Sequence, residues 1–81
     1  MNEYIVTFHS HFGALSYRKY LEKQGIVIEL MPVPRKISSS CGTCARYTHS
    51  HAIEAPGCDL DAIYLLADHK LECVFRADES E

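Results

Sequence analysis

Two cysteines, Cys41 and Cys44, stand in a Cys-x-x-Cys spacing inside a run of small residues that begins at Ser38. A cysteine acts as a nucleophile or a metal ligand only as its thiolate, a form that nearby cations, open backbone amides and solvent exposure favour. The run directly follows residues 32–36, which supply two prolines and two cations. The pattern therefore predicts thiol chemistry on a loop, with Cys41 as the working thiol.

The second cysteine, Cys44, leaves two interpretations open. It could attack a persulfide on Cys41 and release the terminal chalcogen as a disulfide forms. It could instead be a partly buried residue of a strand.

A zinc site is the main alternative chemistry. One Cys₂His₂ set would join the two thiols to a His-x-His pair and would consist of Cys41, Cys44, His9 and His11. A second set requires residues 43–53 to form a loop and would use Cys41, Cys44, Cys58 and either His49 or His51. Neither set has the spacing of a standard zinc motif, so we expect no required cofactor and keep zinc as the alternative.

Groups that could stabilise a chalcogen anion lie close to Cys41 along the chain. Arg35 and Arg46 supply positive charge, and backbone amides around Gly42 could form an anion-binding nest. Glycine would also let the active-site cysteine of a partner approach closely.

Length and charge narrow the class of protein. The 81 residues predict one domain over residues 1–77 and a solvated acidic tail over residues 78–81. A net charge of −3 argues against a general nucleic-acid binder, which would carry a basic patch. The sequence shows no secretory signal pattern and no run near the ~20 apolar residues of a membrane span. We therefore expect no nucleic-acid or membrane partner and a cytoplasmic location, where thiols stay reduced.

The hydrophobic pattern predicts the element order βαββαβ. The clearest elements are a strand, a helix and two further strands, over residues 4–9, 12–24, 26–31 and 71–76. Residues 43–53 favour a strand, because no apolar helical stripe runs through them, and a helix that begins near Ser40, with serine as its N-cap, is the alternative. Residues 60–69 are predicted as a second helix capped by Asp59. Cys73 alternates with apolar residues and is expected to be buried.

This order predicts a ferredoxin-like α+β sandwich, with an antiparallel sheet and two helices on one face. The first strand then lies beside the third and antiparallel to it. The end of the first strand consequently lies near the start of the third, which brings His9 and His11 towards Cys41 and Cys44.

The segment Pro32-Val33-Pro34-Arg35-Lys36-Ile37-Ser38-Ser39-Ser40-Cys41-Gly42 follows a strand–helix–strand opening with Tyr4-Ile5-Val6-Thr7-Phe8-His9-Ser10. In these blocks the chain resembles the DUF3343 family, small bacterial selenium/sulfur carrier-like proteins. The resemblance covers most of the chain in length and element order, and it maps the family's thiol onto Cys41. The chain departs from the family pattern after Gly42, where Thr43 and Cys44 replace aliphatic residues.

The resemblance implies a carrier that holds sulfur or selenium on Cys41 as a persulfide or perselenide. The donor would be a cysteine desulfurase or selenocysteine lyase-like enzyme, and an acceptor protein would take the chalcogen. We expect a transfer partner more than a stand-alone enzyme. The alternative is a zinc-binding or thiol redox module that uses Cys41, Cys44 and nearby histidines. A third interpretation is a homo-oligomerising domain in which the cysteines are incidental.

Overall fold

The computed structural model describes residues 1–37, 42–55 and 57–77. These residues form five strands and one helix, which are β1 (Asn2–Phe8), α1 (His11–Glu22), β2 (Ile28–Pro32), β3 (Thr43–His49), β4 (Leu60–Ala67) and β5 (Lys70–Arg76). The predicted acidic tail over residues 78–81 lies outside the described residues. Among those that are described, no helix reaches the length and apolar character needed to cross a membrane.

The strands form one sheet in the order β2-β3-β1-β4-β5, in which every neighbouring pair is antiparallel. The central strand is β1, whose residues from Tyr4 to Phe8 are all buried. A strand covered on both faces carries apolar residues at consecutive positions, which is why Tyr4-Ile5-Val6 lacks polar alternation.

Helix α1 covers one face of the sheet. It begins after Ser10, whose side chain accepts a hydrogen bond from the Gly13 amide at 3.1 Å, as an N-cap does. Its buried face carries Ala14, Tyr17 and Leu21, at the spacing of a helical apolar stripe. These side chains join the main core cluster with Val6, Phe8, Ala45, Tyr47 and Ile63.

Two buried tyrosines, Tyr17 and Tyr47, form hydrogen bonds with the connection between β3 and β4 and hold it against this core. The Tyr17 hydroxyl donates to the Ile53 carbonyl at 2.7 Å, and the Ile53 amide donates to the Tyr47 hydroxyl at 2.9 Å. The two hydroxyls lie 3.2 Å apart. These bonds hold residue 53 of the connection against the core, and the described residues of the connection, 50–55 and 57–59, contain no helix.

The opposite face of the sheet carries a smaller apolar cluster. Its buried members are Ile5, Ile37 and Cys44. Ile37 comes from the connection between β2 and β3, so residues 33–37 of this connection fold over the sheet face that α1 leaves uncovered. Partly buried residues complete the cluster, namely Met31, Val33, Tyr64 and Leu71.

The predicted α+β class and the antiparallel sheet are confirmed, and so is the placement of the first strand beside the third. Residues 43–49 form a strand, as the sequence favoured. The ferredoxin-like topology is not confirmed, because the described residues contain the first crossover helix and no second one.

The predicted helix over residues 60–69 is wrong, because residues 60–67 form β4. This strand lies between β1 and β5 and is apolar on both faces, a pattern that periodicity alone cannot separate from a buried helix. Asp68 and His69 then make a tight turn with φ angles of 52° and 63°. Cys73 is exposed and not buried, because β5 is an edge strand with one solvated face.

Candidate functional site

The segment that carries the predicted thiol is the loop between β2 and β3. Pro32 and Thr43 are the last paired residues of the two strands, and the Val33 amide donates to the Gly42 carbonyl at 3.2 Å just beyond them. This bond joins the two ends of the connection between β2 and β3, in which residues 33–37 and 42 are described. Cys41 lies outside the described residues, as do residues 38–40, but it directly precedes Gly42 in the chain.

Gly42 is exposed, and a Cβ added to it would meet no atom within 4 Å. Its φ is not in the left-handed region that would demand a glycine. The packing of the described residues therefore gives no reason for a glycine at this position. Open space beside the residue after Cys41 is what the close approach of a partner would need.

Cys44 lies on β3, directly opposite Thr7 of β1 and Met31 of β2. Its side chain is fully buried beside Ile37. The Sγ atom donates to the Pro32 carbonyl at 3.6 Å. Cys44 is thus a buried thiol near the end of β3 that follows the loop, and a reaction at its sulfur requires the apolar cluster around it to open.

The two predicted anion-stabilising arginines have different positions. Arg35 is exposed on the loop itself, next to the equally exposed Lys36. Arg46 lies on β3, four residues from Gly42, which corresponds to ~13 Å along an extended strand. It forms an ion pair with Glu3 and lies opposite Glu29 of β2. Positive charge at the loop therefore comes from Arg35 and Lys36, whereas the charge of Arg46 is compensated by carboxylates.

The two histidines of the first predicted zinc set, His9 and His11, lie near the start of α1 but in different surroundings. His9 lies against Asp61, with 3.8 Å between His9 Nε2 and Asp61 Oδ1. His11 is the exposed first residue of the helix. Within the described parts of the chain, no group of three or more histidine, cysteine, aspartate or glutamate side chains could hold a metal ion. Cys41, which also belongs to this predicted zinc set, lies outside the described residues.

The second zinc set depended on a loop over residues 43–53, and β3 occupies most of that stretch. His49 and His51 lie together at the opposite end of the sheet, with ring centroids 4.6 Å apart. Cys58 is buried, and this burial raises the pKa of its thiol, with a smaller contribution from the charge of Asp59. Cys58 is therefore held as an unreactive thiol.

Sequence reasoning missed a polar cluster at the sheet end that carries the loop. Asp61 is an extra residue in β4, since Thr7 pairs with Ala62 while Phe8 pairs with Leu60. Its carboxylate accepts a hydrogen bond from Thr7 Oγ1 at 3.2 Å and lies 4.0 Å from Arg76 Nη1. The sequence contained one signal for this cluster, which is the single charged residue, Asp61, inside the otherwise apolar run 60–67.

The fold is that of a small α+β protein in which β2 and β3 are joined by a connection closed at Gly42, the residue that follows Cys41 in the sequence. The chain matches the family described as "Putative Se/S carrier protein-like" over residues 3–63, well over half of its 81 residues. It belongs to that family, as the Pro-Arg-Ser-Ser-Ser-Cys-Gly segment predicted. No curated protein and no solved structure matches it significantly.

Proposed function

We propose that the protein carries sulfur or selenium as a persulfide or perselenide on Cys41. Family membership supports the cargo. The observation that supports this residue is the closed loop base, where the Val33–Gly42 hydrogen bond fixes the chain immediately after Cys41. Gly42 itself is exposed at this end of the sheet, where another protein can reach the chain.

Loading transfers one chalcogen atom without net oxidation. The Cys41 thiolate attacks the terminal sulfur or selenium of a persulfide or perselenide on the donor's cysteine. A new bond forms to Cys41 Sγ, the donor's own chalcogen–sulfur bond breaks, and the donor cysteine leaves as a thiolate. A cysteine desulfurase or a selenocysteine lyase-like enzyme produces the required donor group.

The loop offers two features to the bound chalcogen anion. Arg35 and Lys36 place exposed positive charge on it, and such charge stabilises a nearby anion. Gly42 leaves open space beside the thiol-bearing residue, which suits the insertion of a donor or acceptor cysteine. The more distant Arg46 contributes to the field at the site, reduced by its ion pair with Glu3.

Cys44 is proposed as a second thiol that acts at release. Its thiolate would attack Cys41 Sγ, form a Cys41–Cys44 disulfide and expel the terminal atom as hydrosulfide or hydroselenide. Because Cys44 is fully buried in the cluster with Ile5 and Ile37, this step depends on exposure of its sulfur, and direct transfer to the acceptor's thiol competes with it.

The test supplies labelled sulfur from a cysteine desulfurase, or selenium from a selenocysteine lyase, to the native protein and to three variants. Cys41→Ala should accept no label, whereas Cys73→Ala, which removes an exposed thiol from β5, should load like the native protein. Cys44→Ala should load normally and release the label more slowly. The proposal is wrong if Cys41→Ala loads as well as the native protein.

A comparison of the two donors identifies the cargo. Intact mass under mild conditions should show a gain of one sulfur or one selenium atom that reducing agent removes. The donor with the higher single-turnover rate defines the physiological element.

A further inference from the structure

Two histidines at the end of β3 hold their rings close together. The ring centroids of His49 and His51 are 4.6 Å apart, and the ring planes are inclined by 64°. His49 is half-buried and His51 is exposed. Within the described parts of the chain, no hydrogen bond or ion pair engages the His49 ring, and the His51 ring has a single hydrogen-bond partner, the Ser50 hydroxyl. Each ring therefore has a nitrogen atom available to an external ligand.

The chain fixes the histidine pair from both sides. His49 is the last residue of β3 and pairs with Asn2 of the central strand β1. The Asn2 side chain also donates from Nδ2 to the Ser50 carbonyl at 3.5 Å. Beyond the pair, Ile53 is held by the two buried tyrosines of the core. A ligand that binds between the two rings would consequently meet a site whose supporting backbone is already in place.

Ser50 orients the ring of His51. The Ser50 Oγ atom lies 3.2 Å from His51 Nδ1. With the proton on Nδ1, this nitrogen donates to the hydroxyl, and Nε2 carries the lone pair that a metal ion binds. Metal-binding histidines are commonly oriented by a hydrogen bond from their second ring nitrogen. The arrangement around His51 is therefore that of a histidine ligand.

The separation of the rings matches two nitrogen ligands at a right angle. A histidine nitrogen binds a metal at ~2.1 Å and lies ~1.1 Å from its ring centroid, so each centroid would be ~3.2 Å from the ion. Two rings at a right angle then have centroids ~4.5 Å apart, and two rings at the tetrahedral angle ~5.2 Å apart. The observed distance is 4.6 Å. Right-angled nitrogen ligands are typical of tetragonal Cu²⁺ and Ni²⁺, and the tilt between the planes keeps two such rings from colliding.

We propose that His49 and His51 chelate a divalent copper ion, with solvent at the remaining coordination positions. Among divalent first-row metals, Cu²⁺ binds most tightly to nitrogen ligands. A chelate with two protein ligands is compatible with the described residues, which contain no metal-binding group of three or more histidine, cysteine, aspartate or glutamate side chains. The pair lies at the opposite end of β3 from Gly42, and this site is independent of the proposed sulfur or selenium carriage.

The experiment titrates the full-length protein with CuCl₂ and follows binding by calorimetry. The accessible thiols are first blocked with N-ethylmaleimide, because thiols bind and reduce Cu²⁺. The native protein should bind one Cu²⁺ per chain. His49→Gln and His51→Gln should each weaken binding about a hundredfold, because the second ligand of a chelate binds at a high effective concentration.

His11→Gln is the matched control. It replaces an exposed histidine at the start of α1 and should bind copper like the native protein. Thermal unfolding without copper checks the fold of all three variants, whose midpoints should agree with that of the native protein. Equal copper affinity of the native protein and of either His49→Gln or His51→Gln would overturn the proposal, since the ion would then bind elsewhere on the chain.

Pulsed electron paramagnetic resonance gives an independent count of the ligands, because it detects the remote nitrogen of a copper-bound imidazole. At one equivalent of Cu²⁺, the native protein should show two bound imidazoles, and each single variant should show one. A native spectrum with fewer than two imidazoles would mean that the rings do not bind the same ion, and the proposal would be wrong.

Discussion

Gly13 is the residue at which α1 approaches the connection before β4 most closely. A Cβ at this position would lie 2.3 Å from the Cys58 carbonyl oxygen and 2.7 Å from Asp59 Cβ. Atoms do not approach this closely, and the carbonyl belongs to the main chain, so relief requires the helix or the connection to shift. The lack of a side chain at Gly13 therefore allows α1 to pack closely against the connection before β4.

Gly13→Ala should therefore destabilise the protein, although alanine is the better helix former. The gain in helix propensity is ~1 kcal/mol, whereas overpacking of this kind costs ~1–3 kcal/mol. We expect a net loss in the free energy of unfolding, measured by urea denaturation. Ser16→Ala in the same helix is the matched control and should be neutral or slightly stabilising. A stabilised Gly13→Ala variant would contradict the close approach.

Single residues of the site were predictable to different degrees. Cys41 stays a prediction, which rests on its spacing to Cys44 and on its neighbours along the chain. The surroundings of Asp61 could not be predicted, because a bulge brings it to Thr7 and His9, residues more than fifty positions earlier. The compensation of Arg46 by Glu3 was likewise hidden, since it depends on the register of two strands.

At the level of elements, the sequence predicted five of the six correctly in type and failed on β4. The helix has a clear terminal signal in the Ser10 cap, and β1, although buried on both faces, is rich in β-branched and aromatic residues. β4 carries apolar residues on both faces, and leucine and alanine, which also favour helices, make up five of its eight residues. Only the turn at Asp68 and His69 marked a hairpin, and both residues are less frequent there than the usual Asn-Gly.

The turn between β4 and β5 gives a test of this hairpin. Both central residues have positive φ, as a type I′ turn requires. Replacing Asp68-His69 by Asn-Gly should raise the free energy of unfolding by about 0.5–1 kcal/mol, because these residues adopt positive φ at less cost.

His69→Pro is the matched opposite change. Proline fixes φ near −65°, which is incompatible with the φ of 63° at this position, so we expect a lower midpoint of thermal unfolding. Equal midpoints for the proline variant and the native protein would mean that residues 67–70 do not form this turn.

For the molecule as a whole, buried acidic groups predict loss of stability at alkaline pH. Burial raises the pKa of Tyr17 far above its ordinary value of 10.0, and the hydrogen bond and charge of Tyr47 add to this. Burial also raises the pKa of Cys58. Because both folded-state pKa values are raised, the unfolded chain loses these protons first as the pH increases, and folding is then disfavoured.

We therefore expect stability to be complete below about pH 8 and to fall above it, first through Cys58 and then, above about pH 10, through Tyr17. Each group contributes a slope of up to about 1.4 kcal/mol per pH unit above its unfolded pKa. Urea denaturation at pH 7, 9, 10 and 11 under reducing conditions measures this decline.

Tyr17→Phe isolates the tyrosine contribution. It should lower stability at pH 7 by ~1–3 kcal/mol, since the buried Ile53 carbonyl loses its donor, but its decline above pH 10 should be shallower. Tyr20→Phe, at a half-exposed position on the same helix, should retain the native slope. A Tyr17→Phe variant with the native slope would show that another group governs the alkaline decline.

The central position of β1 also has a consequence for biosynthesis. Glu3 pairs with Thr48 on one side and with Leu66 on the other, so a strand made early completes its ladder only after most of the chain has been translated. At ~5–20 residues per second, a nascent chain spends seconds with one hydrogen-bonding edge of its most fully buried strand unpaired. An open edge of this kind templates pairing with other chains. Overexpression should therefore be limited by aggregation of incomplete chains before the stability of the finished fold becomes limiting.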